Sequence, residues 1–429
     1  MNRRNFLKAT AAATLFASNP GLLRAATDYQ GNFIVTVFAG GGWDPTSFCD
    51  PKMNVPGERI INNWATNNTT QTVGNINYAP FADNDAFFKA HYQKMLVING
   101  VDVKSNSHST GTFNNMTGVR QDGFPSVAAL FAASTKTQQL MPWLAGTTRP
   151  NSGKLIAPST IAGSGAINNL KRLAQPNLFR SDRSDTFLQN DELALIKQFR
   201  QNKANPLATD NAQLAKQRRQ YANYLQSIYS DGSFEEYLNL LQTADMKGLN
   251  PNTTNFSQAA STIAAFKAGV SLSSDIRLGG FDTHGDHDVR QARALTRLTQ
   301  TVDLLWHIAN QFNIQDRLVV HIASDFGRTN RYNGGNGKDH WSITSSVIMA
   351  NNPAWGNRVV GASDEKHYAE KIDFTTLQKD ATTGTRIEPK HVINGLRQHM
   401  GVDSQPASSK FDLDADAIPD FFNPARMTT

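Results

Sequence analysis

Six carboxylate and imidazole side chains fall in or just before loops that follow apolar, β-branched runs of this 429-residue chain. Asp44 follows Phe33-Ile34-Val35-Thr36-Val37-Phe38-Ala39, across the turn Gly40-Gly41-Gly42-Trp43. Asp282 and His284 follow a short run at Ile276-Arg277-Leu278, after Gly279-Gly280. Asp325 follows Leu318-Val319-Val320-His321-Ile322-Ala323, and Asp339 and His340 stand in the next loop. Carboxylate oxygen with imidazole nitrogen suits Zn²⁺, Mn²⁺ or Fe, whereas carboxylates alone suit Mg²⁺ or Ca²⁺. Two such ions about 4 Å apart would activate a nucleophile and stabilise a leaving oxygen. Arg328, three residues past Asp325, offers a bidentate fork for an anionic group. The chemistry these residues suggest is metal-assisted hydrolysis of an anionic ester.

Taken singly, each residue has an ordinary reading. An aspartate after a strand often caps the following helix, which is the role expected of Asp288. His321 within a strand and His307 within a helix read as packing or surface residues. What carries the argument is recurrence, because sites in open α/β sheets collect at the carboxyl ends of the strands.

The elements that must position these residues follow the same pattern. Largely apolar runs at 33–39, 95–98, 317–323 and 347–350 read as buried strands of a largely parallel sheet. Helical spacing appears at Pro125–Ala133, Ala259–Gly269 and Pro389–Met400. A long amphipathic helix carries Leu295, Leu298, Val302, Leu305, Ala309 and Phe312 at spacings of three and four. Strands alternating with helices predict one layered α/β domain over residues 26–429. Between about residues 148 and 260 the character changes to loops and polar helices (Glu192–Lys203, Asn211–Ser230, Phe234–Thr243), which reads as a helical insertion. Asn62 to Asn77 is polar and reads as a surface loop, and there are no internal repeats.

The blocks Ala39-Gly40-Gly41-Gly42-Trp43-Asp44, Phe281-Asp282-Thr283-His284, Ser324-Asp325-Phe326-Gly327-Arg328 and Gly337-Lys338-Asp339-His340-Trp341 resemble, in order, the signature blocks of a bacterial family. It is the domain-of-unknown-function family numbered 1501, itself similar to the alkaline phosphatase and sulfatase superfamily. The resemblance spans nearly the whole chain after its first 25 or so residues. It implies an alkaline-phosphatase-like central, mostly parallel sheet flanked by helices, and a two-metal centre. Carried over residue by residue, it makes Asp44, Asp282, His284, Asp325 and His340 metal ligands, with Asp339 a further candidate. The phosphatase pair is usually spaced D-x-x-x-H where this chain has D-x-H, so His284 could yield to Asp286 or His287.

Superfamily members attack with Ser, Thr, or a formylglycine made from Cys. Cys49-Asp50-Pro51-Lys52 shares only the Cys-x-Pro start of the sulfatase motif and lacks its Ser and Arg. Ser107-His108, in the loop after the second strand, is a place where a nucleophile and a histidine ligand could meet. A water activated by the metal, its pKa lowered toward about 7, is the alternative to Ser107.

The chain begins Met1-Asn2-Arg3-Arg4-Asn5-Phe6-Leu7-Lys8, then an Ala-rich apolar stretch, then Leu23-Arg24-Ala25. Paired arginines, a short apolar segment and a small-residue cleavage site are the pattern of a twin-arginine signal peptide over residues 1–25. The expected localisation is periplasmic or secreted, with the twin-arginine translocase as a transient partner. The apolar stretch is too short to span a bilayer, so no stable membrane anchor is expected. Four of the 42 basic residues (Arg3, Arg4, Lys8, Arg24) and none of the 36 acidic ones lie in this leader, so the net charge falls from +6 to +2 without it. That balance does not suit a nucleic-acid partner, nor does the chain carry a P-loop or a G-x-G-x-x-G after a strand. A single cysteine, Cys49, excludes an intrachain disulfide. The reading that joins these features is an exported metal-dependent hydrolase of a phosphate or sulfate ester, on an anionic small molecule or polymer. The alternative is a non-catalytic periplasmic binding or assembly protein on the same fold.

Overall fold

The nearly continuous apolar run 33–39 becomes β1 (Phe33–Ala39), buried along its whole length. This is the burial expected of a strand covered on both faces. The computed structural model describes residues 29–423, apart from 136–138, 148–149, 162–176, 178–185, 215–216, 219, 222–230 and 415–416. The expected leader and the expected helix Asn211–Ser230, for most of its length, lie outside the described residues.

Among the described residues, seven further strands join β1 in one sheet: β2 (Met95–Asp102), β3 (Trp143–Ala145), β4 (Ser159–Thr160), β5 (Ser273–Leu278), β6 (Leu318–Ser324), β7 (Ile343–Ala350) and β8 (Arg358–Val360). Their order across the sheet is β8-β2-β7-β6-β1-β5-β3-β4. All neighbouring pairs are parallel except those made by β7, which runs against both β2 and β6. The α/β architecture with a mostly parallel central sheet is therefore as expected.

The helices are α1 (Asn84–His91), α2 (His108–Thr117), α3 (Val127–Ser134), α4 (Asn190–Thr209), α5 (Asp231–Thr243), α6 (Thr254–Lys267), α7 (His287–Gln311) and α8 (Pro389–His399). One group, α6 with α5 and α7, and α7 with α1, reaches the sheet at β5 and β1. A second group, α2 and α3 with α8 packed against them, also reaches the sheet, so helices flank it. The apolar stripe of α7 read from its spacing is buried: Leu295, Leu298, Val302, Leu305 and Ala309 all face inward. Among the described residues, no helix is long and apolar enough to cross a membrane.

Two details differ from the expectation. The polar stretch 62–77 contains a small hairpin, Gln71–Val73 with Ile76–Tyr78, turned at Gly74. The segment 148–260 supplies an edge strand, β4, as well as the helices α4 and α5. Both β3 and β4 are too short to leave a periodic signal.

Within β5, Asp275 is wholly buried and accepts hydrogen bonds from Ser126 Oγ (2.8 Å) and Trp143 Nε1 (3.0 Å). Burial pushes its pKa up to about 6, against the opposing pull of those bonds. A carboxyl whose native pKa lies above its unfolded value of about 3.9 favours the fold only while protonated. That contribution is complete below about pH 4 and is lost as pH rises through about 6. Asp275→Asn is therefore expected to raise the unfolding free energy by about 1–3 kcal/mol at pH 8, with the gain shrinking toward zero below pH 4. Denaturant titrations at the two pH values check this; a variant equally stabilised at both, or destabilised at pH 8, contradicts it.

Candidate metal centre

Adjacent parallel strands β6, β1 and β5 end in register, with Ala39 opposite both Leu278 and Ser324. Their following loops therefore leave the sheet at one end, as sequence reasoning requires. Strand β2 is two antiparallel steps from β6, so it points the same way, and its carboxyl end leads to His108 at the start of α2. Strand β7 runs the opposite way, so its beginning lies at this end. This is why His340, the last of the candidate ligands, precedes a strand rather than following one. The loops approach closely: a Cβ on Gly41, whose φ is +118°, would lie 2.5 Å from the backbone nitrogen of Asp282.

Three imidazoles and one carboxylate converge there. Ligand atoms of His108, Asp282 and His340 all lie within 4.8 Å of one another. His108 Nε2 stands 3.5 Å from Asp282 Oδ2, and His340 Nε2 stands 3.4 Å from Asp282 Oδ1. His284 Nε2 lies 3.0 Å from Asp282 Oδ1 and 2.9 Å from His340 Nε2. The outer nitrogen of every one of these rings is held by an acceptor. His108 Nδ1 meets Asp325 Oδ2 at 2.7 Å, His284 Nδ1 meets Asp339 Oδ1 at 2.8 Å, and His340 Nδ1 donates to the Asn106 carbonyl at 2.8 Å. Outer acceptors of this kind fix the tautomer and aim the other nitrogen at a metal.

The arrangement suits a cation. A carbonyl oxygen only accepts, so Nδ1 of His340 carries the hydrogen and its neutral Nε2 presents a lone pair. The carboxylate of Asp339 likewise accepts from Nδ1 of His284, leaving Nε2 turned to the centre. Two lone pairs at 2.9 Å, beside a carboxylate, repel unless a proton or a metal ion stands among them. Burial, only partly offset by the Asn106 bond, holds the pKa of His340 below its ordinary value, which disfavours the proton. Donors bonded at about 2.0–2.1 Å to a tetrahedral ion are about 3.4 Å apart, close to the 2.9–3.5 Å separations in this cluster. The residues fit a divalent ion of the zinc or manganese type.

Asp325 and Asp339 thus stand behind the histidines rather than among the inward-facing donors. Asp325 is buried; besides His108 it accepts from Gly41 N (3.0 Å) and Thr112 Oγ1 (3.1 Å). Asp339 also accepts from Asn333 Nδ2 (3.0 Å). The placement of Arg328 differs from the expectation of an anion-binding fork. Its side chain is fully buried, with Nε donating to Gly42 O (2.8 Å), Nη1 to Lys338 O (3.0 Å), and Nη2 to Gly41 O and to Asp282 Oδ1 (2.8 Å). Its donors are committed to the chain, and it positions Asp282. Burial alone would raise the pKa of Asp282, but the bond and charge of Arg328 outweigh it and hold the carboxyl at about 2.

Asp44 also departs from its expected role. It is wholly buried, 2.6 Å from Lys338 Nζ and 3.0 Å from His287 Nε2, so its carboxylate faces an internal ammonium and not the exposed histidines. His287 turns inward to Asp44 and Thr283, and Asp286 takes a left-handed backbone ahead of α7; of the three alternatives, His284 faces the centre. Thr283, between Asp282 and His284, points to the buried side, as alternation along an extended segment requires. Ser107 is exposed immediately before α2, its Oγ 3.2 Å from Ser109 Oγ. Cys49 is buried in the apolar core, and burial pushes its thiol pKa far up, which suits packing rather than catalysis.

Sequence reasoning placed His108 only as a possible ligand and left Lys338 and Arg277 without roles. The signal for Lys338 was its place inside the Gly337-Lys338-Asp339-His340 block. Arg277, on β5, lies over the Phe38 ring (5.1 Å) with its guanidinium 3.4 Å from Thr112 Oγ1 and 3.8 Å from Asp325 Oδ1.

A mostly parallel α/β sheet with a histidine-rich, carboxylate-anchored cluster at its strand ends defines the class of this protein. The chain belongs to the family "Protein of unknown function (DUF1501)", whose model matches residues 32–407. No curated protein matches it. Among solved structures it is similar to Ps i-CgsB, at 10% identity, with 89% of this chain and 77% of that chain covered and a TM-score of 0.37. It is also similar to a protein in the alkaline phosphatase superfamily from Vibrio parahaemolyticus, at 11% identity, 95% and 77% coverage and a TM-score of 0.35. A third similarity is to a TAB5 alkaline phosphatase variant with Mg bound in its M3 site, at 10% identity, 77% and 95% coverage and a TM-score of 0.31.

Proposed function

We propose that this protein is an exported, metal-dependent hydrolase of the alkaline phosphatase and sulfatase type, acting on a phosphate or sulfate ester. The observation that carries the reading is the set of three imidazole Nε2 atoms aimed at Asp282, each with its outer nitrogen held by an acceptor. A divalent ion bound there supplies a Lewis acid for the ester oxygen and lowers the pKa of an attacking hydroxyl or water.

The chain's own groups complete the reading. His108 opens α2, so the positive end of that helix faces the same region and favours an anionic substrate group. Arg277 takes the orienting role expected of Arg328: it shares Asp325 with His108, its side chain is 37% exposed, and its contacts are longer than strong charge-assisted hydrogen bonds. Ser107, an exposed hydroxyl one residue before His108, is the proposed nucleophile. The leader at residues 1–25 directs the protein through the twin-arginine translocase to the periplasm or medium, where it meets an anionic small molecule or polymer.

Turnover of 4-nitrophenyl phosphate and 4-nitrophenyl sulfate, before and after a chelator, tests the reading. Hydrolysis of one ester, lost with the chelator and restored by Zn²⁺ or Mn²⁺, is expected. Ser107→Ala is expected to lower kcat by at least about 10³-fold with metal content unchanged, as for removal of an attacking group. A change below tenfold assigns the attack to water. Binding of phosphate or sulfate without turnover of any ester returns the protein to the non-catalytic alternative.

A further inference from the structure

The residues around Asp44 form a second set of cation donors beneath the exposed cluster. Asp44 Oδ1 accepts from Thr46 N (3.0 Å) and Thr46 Oγ1 (2.7 Å), and Oδ2 faces His287 Nε2 (3.0 Å) and Ser47 Oγ (3.3 Å). Asn62 Oδ1 completes the ring, accepting from Thr46 Oγ1 (3.0 Å) and Ser47 Oγ (3.2 Å). A carboxylate, an amide oxygen, two hydroxyls and an imidazole, all buried, are the donor types that hold a divalent cation. The middle of this set is taken by the chain itself. Lys338 Nζ lies 2.6 Å from Asp44 Oδ2, 2.9 Å from Asn62 Oδ1 and 3.4 Å from Thr46 Oγ1, and no part of its side chain reaches solvent.

We propose that Lys338 serves as a built-in cation at Asp44, so that the metal centre is mononuclear: one ion at His108, Asp282, His284 and His340, and an ammonium where a second ion would otherwise sit. The inference rests on the metal-centre reading above and narrows it from two ions to one. Three features hold the ammonium in place. Lys338 N donates to Thr283 O (3.1 Å), Arg328 Nη1 donates to Lys338 O (3.0 Å), and Nζ lies 5.3 Å from the Tyr332 ring centre. The backbone on both sides of the ammonium is thus tied to the segments that carry Asp282 and its arginine. A divalent ion entering the Asp44 set would have to expel a buried positive charge that already satisfies the Asp44 carboxylate. Lys338 acts as a positioning residue: it neutralises Asp44 and anchors the chain from which Asp339 and His340 reach the exposed cluster.

Metal stoichiometry separates the possibilities without relying on activity. The purified mature protein is analysed for bound metal by plasma mass spectrometry, and the metal-free protein is titrated with Co²⁺ while its visible absorption is followed. One equivalent, with a single break in the cobalt curve, is expected, and His340→Ala should lose it. Two equivalents overturn the mononuclear centre while leaving the exposed centre intact, most directly if Asp44→Asn returns the count to one. No uptake by the wild type overturns the metal-centre reading and this inference together. The wild-type titration decides even if Asp44→Asn, which leaves Lys338 buried without its counter-charge, fails to fold.

Discussion

Asp282→Ala is expected to lose tight metal binding and ester turnover together, with some loss of stability because the buried Arg328 is left without its carboxylate partner. Asp282 is the carboxylate on which His108, His284 and His340 converge, and its side chain is half exposed, so its removal leaves no large cavity. Loss of a partner that merely orients a ligand typically costs 10–100-fold in metal affinity. Loss of the sole charge among the inward-facing donors should exceed about 100-fold on that scale. Competition against a chelating zinc dye measures the affinity, and far-ultraviolet circular dichroism checks the fold. Affinity within tenfold of wild type would remove Asp282 from the centre. Because Arg328 holds this carboxyl at about 2, Asp282 stays ionised through the range in which histidines titrate. Acid release of the metal is therefore set by the imidazoles.

Arg328→Ala should produce the largest loss of stability among the site residues, about 3–5 kcal/mol, because three backbone carbonyls each lose a donor at about 1–3 kcal/mol apiece. The change orphans three backbone carbonyls, at Gly41, Gly42 and Lys338, and opens a space beneath Asp282. Metal affinity should fall with it, by about 10–100-fold, since Asp282 loses the group that orients it. Arg328→Lys is expected to recover little, because one ammonium cannot reproduce a planar fork spread over four acceptors. Urea unfolding and the same dye competition report the two effects. A variant within about 0.5 kcal/mol of wild type, the range of ordinary surface substitutions, would show that the buried fork does not hold the loops together.

The sheet was legible because β1, β2, β6 and β7 each carry a short, nearly continuous apolar run, as a strand buried on both faces tends to. The location of the site was legible for a related reason: carboxylates and histidines clustered where those strands leave the sheet. What sequence could not give was the facing of each side chain. Asp44 and Asp282 both follow a strand and a glycine turn, yet one meets a buried lysine and the other meets three histidines. Only the tertiary approach of the 338–340 segment distinguishes them. Arg328 misled because a fork suited to an anion suits three carbonyls and a carboxylate equally well. His108 was raised only as a companion to Ser107, since it stands alone in its loop; its partner Asp325 is 217 residues away. The D-x-H spacing was informative in hindsight: in an extended segment, residues two apart share a face, which brings Asp282 and His284 together and turns Thr283 away.

The central claim, that these histidines and Asp282 hold a metal ion, is tested most directly by locating the ion. Crystals of the mature protein grown with Zn²⁺ would be measured on both sides of the zinc absorption edge. One strong anomalous peak, within about 2.0–2.2 Å of the Nε2 atoms of His108 and His340 and of an Asp282 oxygen, is the expected result. No peak there, with the three imidazoles and Asp282 ordered as described, would contradict the account.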